Sequence, residues 1–373
     1  MSNKIEVGST PYITGDFLPV GIDLGTSAIK IVNPISHEKH RILSVVGELP
    51  TEPPSESIGL KKGITNNIAY ESETRRFLLA EAARLYSPNP QWFMYRGFAT
   101  RNDFDFAVDA IKASVAALTP FKRKHENIKA KIIIGIPAIF ESTYPEELRK
   151  KLLEESPHSF SIANHGTSMK KEVTLSILDL QIWYQSFGSL YSYCTKKNDG
   201  EFSGTVIDVG FGLTNVCAFD SLTPVKACCT TIPKAVGDVA LHIRENLTRK
   251  GGGTDIPGVF SLGELLREKN PVLRTRTLGT VNLKEELEKA SAFVGQDLCR
   301  EVAFYVDRTA GTDASNQLII TGGGGTDSIL GKYLSAEYSR MTPIMLNDIF
   351  ANAEGLQLGA RDIWTPPSAV KTT

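Results

Sequence analysis

Hydrophobic positions along the chain switch between a period of two and a period near 3.6, and the switches outline its elements. Residues 19–33, LPVGIDLGTSAIKIV, are an apolar run broken by a Gly-Thr-Ser turn. That pattern predicts a β-hairpin with Gly25, Thr26 and Ser27 at its bend. The stretch 48–75 is rich in Pro, Ser, Glu and Asn and reads as loops and an exposed subdomain. Phe104, Ala107, Val108, Ile111, Val115 and Leu118 then recur at helical spacing behind Asp103, the expected N-cap. Residues 130–140, AKIIIGIPAIF, have the continuous apolar character of a buried central strand. Ser142 and Thr143 are placed to cap a helix starting near Pro145, with Leu148 and Leu152 on its buried stripe. The apolar stretch 178–194 reads as a further buried helix, on which Trp183, Tyr184, Tyr191 and Tyr193 are core packing.

From residue 205 the chain repeats itself. Gly21-Ile22-Asp23-Leu24-Gly25 is echoed by Val206-Ile207-Asp208-Val209-Gly210 at an offset of 185 residues, and each copy leads into a small-residue turn and more β-prone sequence. Duplicated halves of one α/β fold account for this pattern. Val239, Ile243 and Leu247 mark one helix, and Leu283, Leu287, Ala290, Val294, Leu298 and Val302 a longer one, with Lys250-Gly251-Gly252-Gly253 between them. Leu318-Ile319-Ile320 gives a strand, Thr321 to Gly325 a glycine turn, and a short helix is expected from Ser328. Strand–helix alternation of this kind belongs to the α/β class.

Composition narrows the function. At 373 residues the chain has room for two or three domains, and 41 Lys+Arg against 42 Asp+Glu gives a net charge of -1. A balanced chain offers no general basic surface, so direct nucleic-acid binding is not expected. The five cysteines lie outside any CxxC spacing, which fits a reduced, cytoplasmic protein without structural zinc. The N-terminus is polar, and the most apolar run, Ile132 to Phe140, is about half the roughly 18 residues a membrane span requires. No membrane association is expected.

Three glycine turns carry the candidate chemistry. A carboxylate at the end of a buried strand beside glycines suits hydrated Mg²⁺, because glycine lets phosphate oxygens reach backbone N–H groups while the Asp holds metal-bound water. Asp23 and Asp208 both occupy such a position. Lys30, seven residues after Asp23 on the return strand, can reach a phosphate held by the turn, and Thr26 and Ser27 offer hydroxyls and amides to it. Gly322 to Gly325 follow a strand and precede a helix, where a flat ring or a phosphate can touch the main chain. The spacing is neither GxGxxG nor GxxxxGK[ST], which disfavours a dinucleotide-binding dehydrogenase and a P-loop ATPase. His37 and His40 lack a third ligand, and Cys228-Cys229 reads as small apolar packing in a strand.

This constellation resembles the actin-like ATPase superfamily. GIDLGTSAIK looks like its first phosphate loop, VIDVGFGLTN like its second and LIITGGGGTDSI like its adenosine motif. FANAEGLQLGA is similar to the Asn-Ala-x-Gly helix of ParM-like plasmid-segregating actins and their archaeal relatives, and Gln185 to the water-orienting glutamine of actin; ParM-like proteins commonly carry a glutamate there.

The resemblance implies an actin-like fold, two related ribonuclease H-like lobes around a nucleotide cleft, each with a smaller subdomain. It divides the chain into an N-terminal extension at 1–18, lobe I at 19–204 with its subdomain within 40–120, lobe II at 205–340 with its subdomain within 237–310, and a segment at 341–373 returning to lobe I. Within the cleft it implies Mg²⁺ positioned through water by Asp23 and Asp208, phosphates of ATP or ADP held by Gly25, Thr26, Ser27, Gly210, Gly212 and Thr214, and charge neutralised by Lys30. Gln185, with Asp208, orients the attacking water. Gly237 and Asp238 form a ribose-side element, Lys284 and Glu288 are further candidates on the long helix, and Gly322, Gly323, Gly324 and Gly325 contact adenosine.

A chaperone of this superfamily needs a further substrate-binding domain, and no sugar-kinase acid is apparent. The expectation is therefore an ATP-hydrolysing filament protein whose main partner is another copy of itself, with a separate DNA-binding adaptor. A small-molecule kinase and a slowly hydrolysing scaffold are the alternatives.

Overall fold

The structure, a computed structural model, describes residues 17–50, 63–94, 101–120, 124–138, 143–198, 200–308, 317–325 and 329–365. The N-terminal extension up to residue 16, Ser142, Ser328 and the loop stretch 51–62 lie outside them. The expected first hairpin forms from β1 (Leu18–Leu24) and β2 (Ala28–Val32). β3 (Lys39–Leu43), β4 (Val45–Gly47), β5 (Asn67–Glu71), β6 (Arg76–Ala80), helix α1 (Glu81–Tyr86) and β7 (Gln91–Trp92) follow. Helix α2 (Arg101–Ala117), β8 (His125–Ile136), α3 (Tyr144–Arg149), β9 (His158–Asn164), β10 (Lys170–Tyr184) and α4 (Gln185–Lys197) complete the first half.

These strands form one sheet in the order β3-β2-β1-β8-β10-β9-β5-β6-β4-β7. β8 lies between β1 and β10 and runs parallel to both. Both of its faces are covered, which is why its sequence is continuously apolar. Ile132 and Ile134 join the core that α2 caps with Ala107, Ile111 and Val115, whereas Ile133 points the other way into Leu356 and Ala360.

The second half repeats the plan. β11 (Gly204–Val209) and β12 (Thr214–Asp220) are an antiparallel hairpin, extended by β13 (Thr223–Pro224) and β14 (Thr230–Ile232). Helices α5 (Val236–Leu247) and α6 (Val259–Leu265), the small hairpin β15 (Val272–Thr275) and β16 (Gly279–Asn282), and the long α7 (Lys284–Asp307) come next. β17 (Leu318–Thr321), α8 (Gly331–Glu337) and β18 (Ile344–Met345) follow. β17 lies parallel to β11, as β8 does to β1. Finally α9 (Ala351–Trp364) crosses back to pack on β1, β8 and α4 of the first sheet.

Four expectations are corrected. Residues 178–184 are strand, not helix, because β10 runs on to Tyr184 and α4 begins at Gln185 without a break; Trp183 and Tyr184 therefore sit on a strand. Asp103 lies inside the first turn of α2, which already starts at Arg101. Cys228 ends a single tight helical turn, Lys226–Cys228, and Cys229 follows it rather than lying in a strand. Within 48–75, read as loops, Asn67–Glu71 instead form β5 between β9 and β6 in the sheet.

Candidate functional site

Asp23 is the penultimate residue of β1, whose seven residues are all buried, so its carboxylate is fixed near the mouth of a central strand and is 1% exposed. Across the hairpin it faces Lys30, whose Nζ lies 2.7 Å from Oδ2. Gln185, the first residue of α4, donates from Nε2 to Asp23 Oδ1 at 3.0 Å and to the Leu24 carbonyl at 2.9 Å. Its Oε1 accepts from Asn215 Nδ2 at 3.1 Å, and Asn215 Oδ1 accepts from Thr231 Oγ1 at 2.7 Å. The amide of Gln185 is thus held from both ends, and its two ends are distinguished by their partners.

Asp208 is the penultimate residue of β11 in the same way and faces Asn215 across its own hairpin. Among the described residues no cation forms an ion pair with it; Oδ2 accepts from Asn352 Nδ2 at 2.9 Å. Burial, together with the charge of Asp23, pushes its carboxyl up to about 6. Asn352, on the first turn of α9, is fixed in turn by Ser189, whose Oγ donates to Asn352 Oδ1 and lies 2.9 Å from Thr321 Oγ1. Gly322 has φ +87°, and a Cβ there would lie 2.4 Å from both Asp208 Oδ1 and the Val209 carbonyl, so only glycine lets this turn close on the carboxylate. The two hairpin turns also touch: Gly212 N–H donates to Thr26 Oγ1 at 2.9 Å.

One cavity of about 40 Å³ is lined by Asp23, Gly25, Thr26, Ser27, Lys30, Gln185, Asp208, Gly210, Gly322 and Gly323. The other sequence candidates stand outside this lining. Thr214 donates its hydroxyl to the Lys234 carbonyl at 2.7 Å. Gly237 N–H donates to the Phe211 carbonyl at 2.6 Å, and Asp238 accepts from the Ala235 N–H at 2.9 Å, capping α5. Gly324 N–H bonds the Val209 carbonyl and Gly325 N–H the Gly322 carbonyl, so both build the turn. Lys284 and Glu288 are exposed on α7, away from the cavity.

Asn215, Phe211, Arg267 and Asn352 also line the cavity and carried no assigned role. Asn215 and Asn352 lie inside motifs already singled out, so a signal existed. Arg267, just beyond α6, had none. Burial and the neighbouring Arg41 lower its guanidinium, and its Nε is buried with no hydrogen-bond partner among the described residues.

Among the described residues no group of three or more His, Cys, Asp or Glu could cage a metal ion. Two carboxylates without further protein ligands suit a cation that keeps most of its water, as Mg²⁺ does. The uncompensated charge at Asp208 beside Asp23 fits such a cation. Among the described residues no helix is long and apolar enough to cross a membrane.

Neither a family model nor a curated protein matches the sequence. Solved structures do match its shape. A crystal structure of an archaeal actin homologue aligns over 92% of this chain and 98% of its own, with a TM-score of 0.68 and 16% identity. The structure of a 15-stranded ParM filament from Clostridium botulinum covers 92% and 98%, with a TM-score of 0.71 and 18% identity. Bacillus thuringiensis ParM with ATP covers 93% and 98%, with a TM-score of 0.63 and 14% identity. The duplicated hairpins, the parallel third strands and these superpositions over nearly the whole chain agree that this protein has the actin-like fold of ParM and the archaeal actin homologues.

Proposed function

We propose that this chain binds Mg-ATP in the cleft between its two lobes, hydrolyses it, and assembles with copies of itself into a nucleotide-controlled filament. The observation that carries the reading is the convergence of Asp23 and Asp208, at equivalent ends of two related hairpins, on one cavity with Lys30, Gln185 and Gly322. Structural neighbours solved with ATP, with ADP and as a filament support it.

Phosphoryl transfer demands positioning and charge neutralisation more than covalent chemistry. The turn amides of Thr26, Ser27 and Phe211 and the hydroxyls of Thr26 and Ser27 grip phosphate oxygens, while the N–H groups of Gly25, Gly210 and Gly212 are bonded within and between the turns. Lys30 exchanges part of its bond to Asp23 for the terminal phosphate. Gln185, oriented by Asn215, aligns the attacking water through its amide, and Asp208 accepts hydrogen bonds from water around the phosphates. Asp23 and Asp208 would hold Mg²⁺ through its water shell, and the ion would neutralise the negative charge that develops on the leaving group. Gly322 and Gly323 present backbone to the adenosine, with Arg267 beside them. The lobe boundaries near residues 204 and 340, a DNA-binding adaptor and a role in DNA segregation or intracellular organisation belong to the same proposal.

Sedimentation and electron microscopy with Mg-ATP, Mg-ADP and no nucleotide test it, alongside phosphate release. Filaments in Mg-ATP that disassemble as phosphate appears are the expected result. Phosphate transfer to a metabolite without any polymer would overturn it in favour of a kinase.

A further inference from the structure

We infer that Trp92, Phe260 and Phe211, together with the Arg41–Glu264 ion pair, form a latch across the mouth of the cleft that controls nucleotide exchange; this rests on the nucleotide reading above. Trp92 belongs to β7, the edge strand of the first sheet, yet it packs against the core of the second lobe. Its ring lies on that of Phe260 from α6, with centroids 3.9 Å apart and planes 2° from parallel. Phe260 stacks in turn on Phe211 at 4.7 Å and 22°.

Phe211 lies in the second hairpin turn and lines the cavity with Asp208. Three rings therefore run without a gap from the opposite lobe to the turn that would grip phosphate. Phe211 packs directly on the backbone of Gly263 in α6, where even a Cβ would lie 2.3 Å from its Cε2. Any shift of residues 210–213 is passed to α6 and so to the hold on Trp92.

A second bond from the same helix closes the same gap. Arg41 on β3 grips Glu264 in bidentate fashion, Nη1 to Oε2 at 2.8 Å and Nη2 to Oε1 at 2.5 Å. Phe260 and Glu264 are four residues apart, one helical turn, so a single face of α6 makes both bridges. A cavity of about 1130 Å³ lies at this pair, bounded by Arg41, Arg84, Glu264 and Arg267, against about 40 Å³ at the hairpin turns. The wider space lies at the ion pair and the narrower one at the turns, and Arg267 lines both. Widening the passage requires separating both the rings and the ion pair.

The test uses the full chain carrying Glu264→Gln, Trp92→Phe, or both together. Release of a fluorescent N-methylanthraniloyl ADP is followed by stopped flow, and hydrogen exchange of the nucleotide-free protein is followed at 91–92 and 259–265. Each single change should speed release by about threefold to tenfold and the double by about the product. Exchange at both segments should rise together. Release and exchange unchanged in the double variant would overturn the latch. If the parent protein binds no nucleotide, the nucleotide reading fails by itself, and hydrogen exchange still decides: coupled acceleration at both segments keeps the latch, independent behaviour removes it.

Discussion

The two hairpins that face each other across the cleft share a backbone plan and differ in how they treat their aspartate. In each, the acid is the last residue but one of the first strand and sits in register with a residue seven positions on, Lys30 opposite Asp23 and Asn215 opposite Asp208. The first carboxylate has a cation at 2.7 Å. The second has amides, and its carboxyl is held up near 6 by burial and by Asp23. One hairpin is thus electrically complete and the other is not, which assigns the second lobe the side of the cleft that gains most from a bound cation.

Substitutions that break this asymmetry are expected to act with opposite signs on stability. Asp208→Asn should reduce ATP turnover by about a thousandfold, as loss of a main electrostatic contact does. The same change should raise nucleotide-free stability by about 1–3 kcal/mol, since a buried, poorly compensated charge disappears. Phosphate release and urea melts check the pair of effects; a destabilised variant would show that the carboxylate is better satisfied than its surroundings indicate. Lys30→Met should do the reverse, costing about 3 kcal/mol by leaving Asp23 buried and unpaired, again read from urea melts.

A smaller effect is expected at Asn215. Asn215→Ala frees the Oε1 end of Gln185, and kcat should drop about tenfold to a hundredfold while nucleotide affinity changes by no more than about twofold. Steady-state kinetics beside equilibrium binding separate the two, and a parallel loss of affinity would reassign Asn215 to binding. Smallest of all, Thr26→Val removes the hydrogen bond joining the two turns and should cost about 1 kcal/mol in the same melts.

The repeat was legible in the sequence because both copies lie on fully buried strands, where the pattern of apolar residues, Asp and Gly has little freedom. β10 was not legible as far as its end, and the reason is local. A bulge between Ile177 and Asp179 leaves Leu178 nearly half exposed, which breaks the alternation at the point where a period of two was needed. The strand then passes into α4 with no Gly or Pro to mark the boundary. At the site, the carboxylates, Lys30 and the glycine turns were readable from type and spacing. Arg267 was not, because it stands on a connection after a short helix and owes its place to the packing of α6 against the first lobe. Lys284 and Glu288 were offered by the resemblance alone; both are exposed on α7 and outside the cavity lining.

The helices α4 and α9 meet at Gly188 and Gly355, where a Cβ on Gly355 would come within 1.7 Å of the Gly188 carbonyl oxygen. Backbone against backbone makes this crossing the stiffest joint between them, like the pin of a pair of scissors. One turn before Gly355 stands Asn352, the partner of Asp208, and one residue after Gly188 stands Ser189, which touches Thr321 of the second sheet. Gripping points on the second lobe thus lie within a helical turn of the pin, where rotation displaces atoms least. The blades, at Trp92 and Arg41, lie at the far mouth and would travel furthest for the same small angle.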